Sequence, residues 1–256
     1  MATQPANVCK ACDEALVIRV GDEEQGEEVT TVPDNVTLGC KCHYHWECLM
    51  EQASAMMASL KCPSCHTYLP DKPVLPSNSS PVPPPVLEAS IYALYSNEGC
   101  HDENVDLLPS IKEEAYLQKN PEARPARALH VMCTEGDVQG MIEMLHDLDG
   151  QETDIGSILS YQDPLSNMKS GLHLALENGR QDVAWILLWM GSAADVNRFP
   201  VNVRQTAELM GLGRLDVHPR KDLRELKDGQ GRLAQDVARQ NPEVWTALLE
   251  TGVLSL

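Results

Sequence analysis

Aromatic side chains are scarce in this chain of 256 residues: they make up 4% of it, and Phe199 is the single phenylalanine. The core must therefore be aliphatic, built from Leu, Val, Ile, Met and Ala, a composition that suits helices packing closely over small residues. Basic residues are also short, with 20 Lys and Arg against 38 Asp and Glu and a formal net charge of −18. That balance repels phosphate backbones and anionic lipid surfaces, which argues against nucleic acid and membrane as partners. Long apolar runs are missing too. The strongest, Val183 to Met190, falls far short of the ~18 residues needed to span a bilayer. Met1-Ala2-Thr3-Gln4-Pro5 contains neither a basic nor an apolar stretch, so no secretory signal is read there. The expected location is cytoplasmic, nuclear or both. In such a reducing setting, clustered cysteines read as metal ligands rather than disulfides.

Cysteine is what the chain does have, and it is unevenly placed. Seven of the nine cysteines lie in the first 65 residues. They run Cys9-Lys10-Ala11-Cys12, then Cys40-Lys41-Cys42-His43-Tyr44-His45-Trp46-Glu47-Cys48, then Cys62-Pro63-Ser64-Cys65. A lone CxxC is a weak signal. Two of them flanking CxCxxHxxC supply eight donors, enough for two tetrahedral Zn²⁺ ions. His43 competes with Cys42 as a ligand on spacing alone. Cys100 and Cys133 stand apart and are expected to be small buried hydrophobes. The gap after Cys48 predicts a helix over Cys48–Met57.

The Cys40-x-Cys42-x-x-His45-x-x-Cys48 core and the Cys62-Pro63-x-Cys65 ending resemble the RING finger family, over about a quarter of the chain. The PHD finger shares the order of ligands, but it usually has a longer gap before the histidine than the two residues between Cys42 and His45. The RING resemblance implies interleaved sites: Cys9, Cys12, His45 and Cys48 on one Zn²⁺, and Cys40, Cys42, Cys62 and Cys65 on the other. It favours Cys42 over His43. Such a cross-brace lets metal substitute for a core too small to fold alone.

The resemblance also implies an enzyme, a RING-type E3 ubiquitin ligase. Such a domain supplies no catalytic residue. It binds a ubiquitin-charged E2 enzyme and holds the thioester in a reactive pose, so its catalysis is positioning and electrostatics. The implied E2 and ubiquitin contacts fall on Ala11, Gln52, Pro63 and His66. Pro63 keeps the family pattern. Ala11 is small, Gln52 replaces the usual tryptophan and His66 replaces the usual basic residue. These departures motivate the alternative of a non-catalytic adaptor. A histone-tail reader of PHD type is a further alternative, with Trp46 as one wall of an aromatic cage. Packing beside His45 is the plainer role for Trp46, and solvation the plainer role for the acidic run Asp22–Glu28.

Residues 1–69 thus form a zinc domain and residues 70–86 a Pro/Ser-rich linker. Residues 87–256 are expected to be helical. Leu87, Ile91, Leu94 and Tyr95 have helical spacing, with Gly99 as a stop. From residue 126 the chain repeats itself. Ala128–Asp137 matches Gly171–Arg180, the second copy continuing through Val183–Gly191 to Ala194-Asp195-Val196-Asn197. This stretch resembles the ankyrin repeat and implies an all-α solenoid whose concave face binds a protein substrate. Gly179 is assigned the interhelix turn and Gly191 a left-handed cap. The 43 residues between His130 and His173 place an insertion near Asp147–Leu165, since an ankyrin unit is about 33 long. Gln205–Gly211 reads as a degenerate third copy, and Asp228–Gly252 as a fourth. His130 and His173 are expected to fix turns by hydrogen bonds.

Overall fold

The computed structural model describes residues 8–20, 30–70, 89–149, 154–216 and 221–256. The chain divides into two compact units, Met1–Pro121 and Glu122–Leu256. Most of the linker expected over 70–86, the acidic run and part of the expected insertion lie outside the described residues.

The first unit carries strands β1 (Val17–Val20), β2 (Thr30–Leu38) and β3 (His43–Tyr44), helices α1 (Trp46–Met50) and α2 (Ala53–Ser59), strands β4 (Tyr92–Asn97) and β5 (Cys100–Asp106), and helix α3 (Leu108–Lys119). Its sheet runs β1-β2-β4-β5, with β3 also paired to β2, and every pairing is antiparallel. The long strand β2 organises it. Its first half pairs with β1 and its second half with β4. Period-two alternation sends Asp34, Val36 and Leu38 inward. Tyr44, Leu49, Met56, Ile91 and Ile111 complete the apolar core around the buried Cys9 and Cys62.

Here the expectation of helix from Leu87 onward is corrected. Residues 92–106 form a β-hairpin. Ile91, Leu94 and Tyr95 fit a helical period, but Ile91 and Ala93 fit a strand period equally well. The turn decides. Glu98 and Gly99 both have positive φ, 38° and 84°, the conformation of a two-residue hairpin loop that matches strand twist. Gly99 therefore reverses a strand rather than stopping a helix. The hairpin makes the amino-terminal unit larger than the 69 residues expected for it, and it leaves Cys100 exposed rather than buried.

The helix expected after Cys48 is broken at Glu51-Gln52 into α1 and α2. Gln118 of α3 holds the break. Its Nε2 donates to the carbonyls of Met50 (3.0 Å) and Glu51 (3.3 Å), while its Oε1 accepts from Ser54 Oγ at 2.6 Å.

The second unit is helical: α4 (Arg124–Glu135), α5 (Val138–Asp149), α6 (Ile155–Leu159), α7 (Gly171–Glu177), α8 (Gln181–Gly191), α9 (Val201–Leu209), α10 (Ala234–Ala238) and α11 (Pro242–Glu250). The first, second and fourth sequence copies each fold as a helix pair, α4–α5, α7–α8 and α10–α11. The third yields α9 alone among the described residues. α7 packs against both α4 and α10, burying Leu129, Leu172, Ala175, Val183, Leu187 and Val237 in one apolar cluster. Gly179 turns the α7–α8 pair at φ 70°, as its position implied. Gly191 does not form a left-handed cap. It is the last residue of α8, and its role is space, because an added Cβ would sit 2.6 Å from Leu223 Cδ1.

The two histidines diverge. His173 Nδ1 lies 2.8 Å from Ser170 Oγ and accepts from Ser170 N, while Nε2 reaches the Arg232 carbonyl at 3.1 Å. His130, by contrast, packs on the Tyr161 ring at 5.6 Å with both ring nitrogens buried, and burial opposes its protonated form more than the Asp163 charge and the Tyr161 backbone support it. Burial drives its ring from 6.5 down to about 4. The unfolded chain therefore takes up a proton near pH 6.5 that the folded unit refuses until about pH 4. Stability is present above this window and is lost as pH falls through it, by about 3 kcal/mol in all. Urea unfolding read by tryptophan fluorescence at pH 7 and pH 4 should show this loss. His130→Leu should remove that part of the pH dependence, whatever the variant does to stability at pH 7.

Candidate metal centre

Both CxxC pairs fold into the same backbone turn. In the first, Cys9 N donates to Glu14 O at 2.9 Å and Asp13 N to Cys9 O at 3.0 Å. In the second, Cys62 N donates to Thr67 O at 2.9 Å and His66 N to Cys62 O at 3.0 Å. The residue after each second cysteine is left-handed, Asp13 at φ 60° and His66 at φ 57°. Each turn is flanked by an isolated antiparallel bridge, Val8 with Ala15 and Lys61 with Tyr68. The middle segment makes a third turn, between β2 and β3, with Lys41 at φ 66°. These are strained conformations for residues with a Cβ. Each one turns cysteine sulfurs toward a common point.

The donors converge in two groups. Cys9, Cys12, His45 and Cys48 form one, and Cys40, Cys42, Cys62 and Cys65 the other, with the donor atoms of each lying within 4.8 Å of one another. Around a tetrahedral ion with metal–sulfur bonds of ~2.3 Å, neighbouring sulfurs sit roughly 3.8 Å apart, so each group is close to the required size. These are the two groupings that the family resemblance implied. His43 takes no part. Its Nδ1 lies 3.1 Å from Thr37 Oγ1 and 3.0 Å from Asn35 Oδ1, and burial, then Lys10 and Lys41, lower its basicity.

His45 is held ready to ligate. Its Nε2 donates to the Ala15 carbonyl at 2.9 Å, which leaves the Nδ1 lone pair facing Cys12 Sγ at 3.3 Å and Cys48 Sγ at 3.7 Å. Polar neighbours also address the sulfurs. Cys9 Sγ accepts from the backbone N–H of Ala11 (3.5 Å) and of His45 (3.4 Å). The Tyr44 hydroxyl lies 3.3 Å from Cys62 Sγ and accepts from Ser64 N at 3.1 Å.

The protonation balance asks for a cation. Burial raises the Cys9 thiol, but the N–H groups of Cys12, Ala11 and His45 outweigh it and bring the thiol down to about 7. Thr67 lowers Cys65 to about 6, through its hydroxyl and then its backbone. Burial and the neighbouring sulfurs of Cys12 and Cys9 push Cys48 up to about 12. Cys40 and Cys42 are raised as well, first by burial. One thiolate forms readily in each group, while Cys48 in the first and Cys40 and Cys42 in the second hold their protons until a positive ion lies between the sulfurs. The residues present therefore fit a bound metal ion, and a soft or borderline divalent ion suits an S₃N and an S₄ set.

Sequence reasoning missed Asp34, a buried strand residue that lines the first group's surroundings. Its carboxylate accepts from Trp46 N at 3.2 Å and from the Tyr95 hydroxyl at 3.3 Å. Only its alternation with Val36 and Leu38 hinted that it points inward. Of the implied E2 contacts, Ala11 and His66 are exposed on the first and last turns, Pro63 is half-buried, and Gln52 is half-buried in the α1–α2 break. No helix among the described residues is long and apolar enough to cross a membrane. No known family model, curated protein or solved structure matches the chain.

Proposed function

We propose that this chain is a RING-type E3 ubiquitin-protein ligase, its two donor groups each holding a Zn²⁺ ion. The observation that carries the reading is the interleaving of donors. The first and third cysteine–histidine segments are joined through the second, with Cys9 and Cys12 beside His45 and Cys48, and Cys40 and Cys42 beside Cys62 and Cys65. In this role bound Zn²⁺ is structural. The metal-held turns would present Ala11, Gln52, Pro63 and His66 to a ubiquitin-charged E2, and the E2 thioester would be attacked by a substrate lysine. The helical unit is read as an ankyrin-like substrate-binding stack. Support for this comes from α7 packing between α4 and α10, and from the reciprocal Ser170–His173 contact at the start of α7.

The test is autoubiquitination of the zinc-loaded full chain with E1, ubiquitin and a panel of E2 enzymes. At least one E2 is expected to build chains. Pro63→Ala should slow it about tenfold by removing a central apolar contact, and Cys62→Ala should abolish it. Inactivity across the panel with two zinc ions retained would overturn the reading. A second reading, a non-catalytic adaptor, is favoured by Ala11, Gln52 and His66, which weaken the expected E2 surface. It expects no E2-induced NMR shifts around Pro63.

A further inference from the structure

A groove of about 430 Å³ opens against the first donor group, whose Cys12, His45 and Cys48 form part of its lining. Its wall is a pair of aromatic rings, Trp46 and Tyr95, with centroids 5.1 Å apart and planes tilted by 39°. Asp34 lines the same groove and is 5% exposed. Its two hydrogen-bond donors, Trp46 N and the Tyr95 hydroxyl, are both neutral. Among the described residues no Lys or Arg forms an ion pair with it, and the imidazole that feels its charge, His45, is itself a donor of the first group. A buried carboxylate without a counter-charge is unfavourable unless a cation reaches it. Glu47 and Glu14 stand at the rim, both exposed and without ion pairs among the described residues. Val17 and Ile18 of β1 supply an apolar side, and each is more than 40% exposed.

We infer that this groove binds a basic peptide segment, seating one lysine or arginine side chain. The methylene stem lies along Val17 and Ile18, the cationic head faces the Trp46–Tyr95 pair, and its charge is balanced by Asp34 with Glu47 and Glu14 at the mouth. The chain's own charge of −18 steers a basic partner toward it. An anionic ligand would meet three carboxylates, and an uncharged apolar one would leave Asp34 uncompensated.

The experiment uses the full zinc-loaded chain and a fluorescein-labelled Gly-Ala-Lys-Ala-Lys-Ala-Gly peptide, read by anisotropy. A counterpart with norleucine in place of lysine keeps the stem and removes the charge. The lysine peptide is expected to bind with a Kd on the order of 100 µM or tighter, and the norleucine peptide about tenfold more weakly. Trp46→Leu and Glu47→Lys should each weaken the lysine peptide by about fivefold or more. Glu47 is exposed, so its reversal leaves the fold and zinc content intact and decides the matter if Trp46→Leu loses metal. Equal binding of the two peptides, indifference to Glu47→Lys, or no binding at about 1 mM peptide would each overturn the inference. None of these readouts involves ubiquitin transfer, so the groove stands or falls independently of ligase activity.

Discussion

Chelation of the folded chain is expected to release two metal ions and to unfold the amino-terminal unit while the helical unit stays folded. Each structural zinc contributes on the order of 10 kcal/mol to a small metal-held fold, more than the margin by which a typical domain is stable at all. The local structure shows why the dependence should be so strong. Asp13, Lys41 and His66 hold positive φ without being glycine. Burial first, and then the neighbouring sulfurs, make Cys42 and Cys48 hold their protons when no cation lies between the donors. Cys9 and Cys62 are themselves core residues, so the sites and the apolar core fail together. A dye that reports released zinc should register two equivalents per chain. Proteolysis should then cut within residues 8–70, and amide exchange protection in β2 and α1 should vanish. Residues 122–256 hold none of the eight donors and should keep their protection. Cys62→Ala should reproduce the loss, because it removes a donor of the second group together with the sulfur that faces the Tyr44 hydroxyl. Unchanged protection in β2 after full chelation would contradict this picture.

Asp222→Ala is expected to destabilise the helical unit by about 3–5 kcal/mol. Asp222 and Arg224 form a buried pair at 2.6 Å, with side chains 5% and 7% exposed. The carboxylate also accepts from Ala193 N at 2.7 Å, just beyond α8, and the guanidinium donates to Ser255 O at 2.5 Å near the carboxy terminus. One ion pair thus ties three segments distant in sequence. Burial works against the Asp222 charge, but Arg224 and the N–H groups of Ala193 and Arg224 outweigh it and hold its carboxyl below the usual value. Its contribution is therefore present above the ordinary carboxylate range and fades as pH falls through the lowered value. Removing the carboxylate alone leaves a buried guanidinium without a counter-charge, held only by backbone carbonyls, which is why the expected loss is large. Urea unfolding at pH 7 measures it. Adding Arg224→Met to the variant should recover part of the loss, since a buried pair replaced by apolar packing is often neutral. A loss below about 1 kcal/mol would show the pair to be solvated.

The amino-terminal unit and the helical unit differ in how openly the sequence declared them. Cys9, Cys12, His45, Cys48, Cys40, Cys42, Cys62 and Cys65 could be named as donors because thiol and imidazole at two- and three-residue spacing have few other uses. The helix pairs from Arg124 onward were legible from repeated Leu-His and glycine positions. The hairpin at 92–106 was not, because Ile91, Ala93, Leu94 and Tyr95 satisfy helix and strand periods alike. Pairing with β2 selects the strand, and no local signal records that partner. Gly191 was misread for a similar reason. The need for glycine there comes from Leu223, 32 positions later in the chain, and not from its own φ.

Residue types and short spacings, on their own, determined which atoms can ligate and which faces are apolar, since both follow from covalent chemistry and helical period. Tertiary structure brought together the two donor groups that only the family resemblance had implied, and it alone decided that His43 turns to Thr37 and Asn35, that His130 is buried against Tyr161, and that Asp34 meets Trp46 and Tyr95. Those outcomes depend on segments tens of residues apart closing on one another, and loop closure over such distances leaves no periodic trace in the chain.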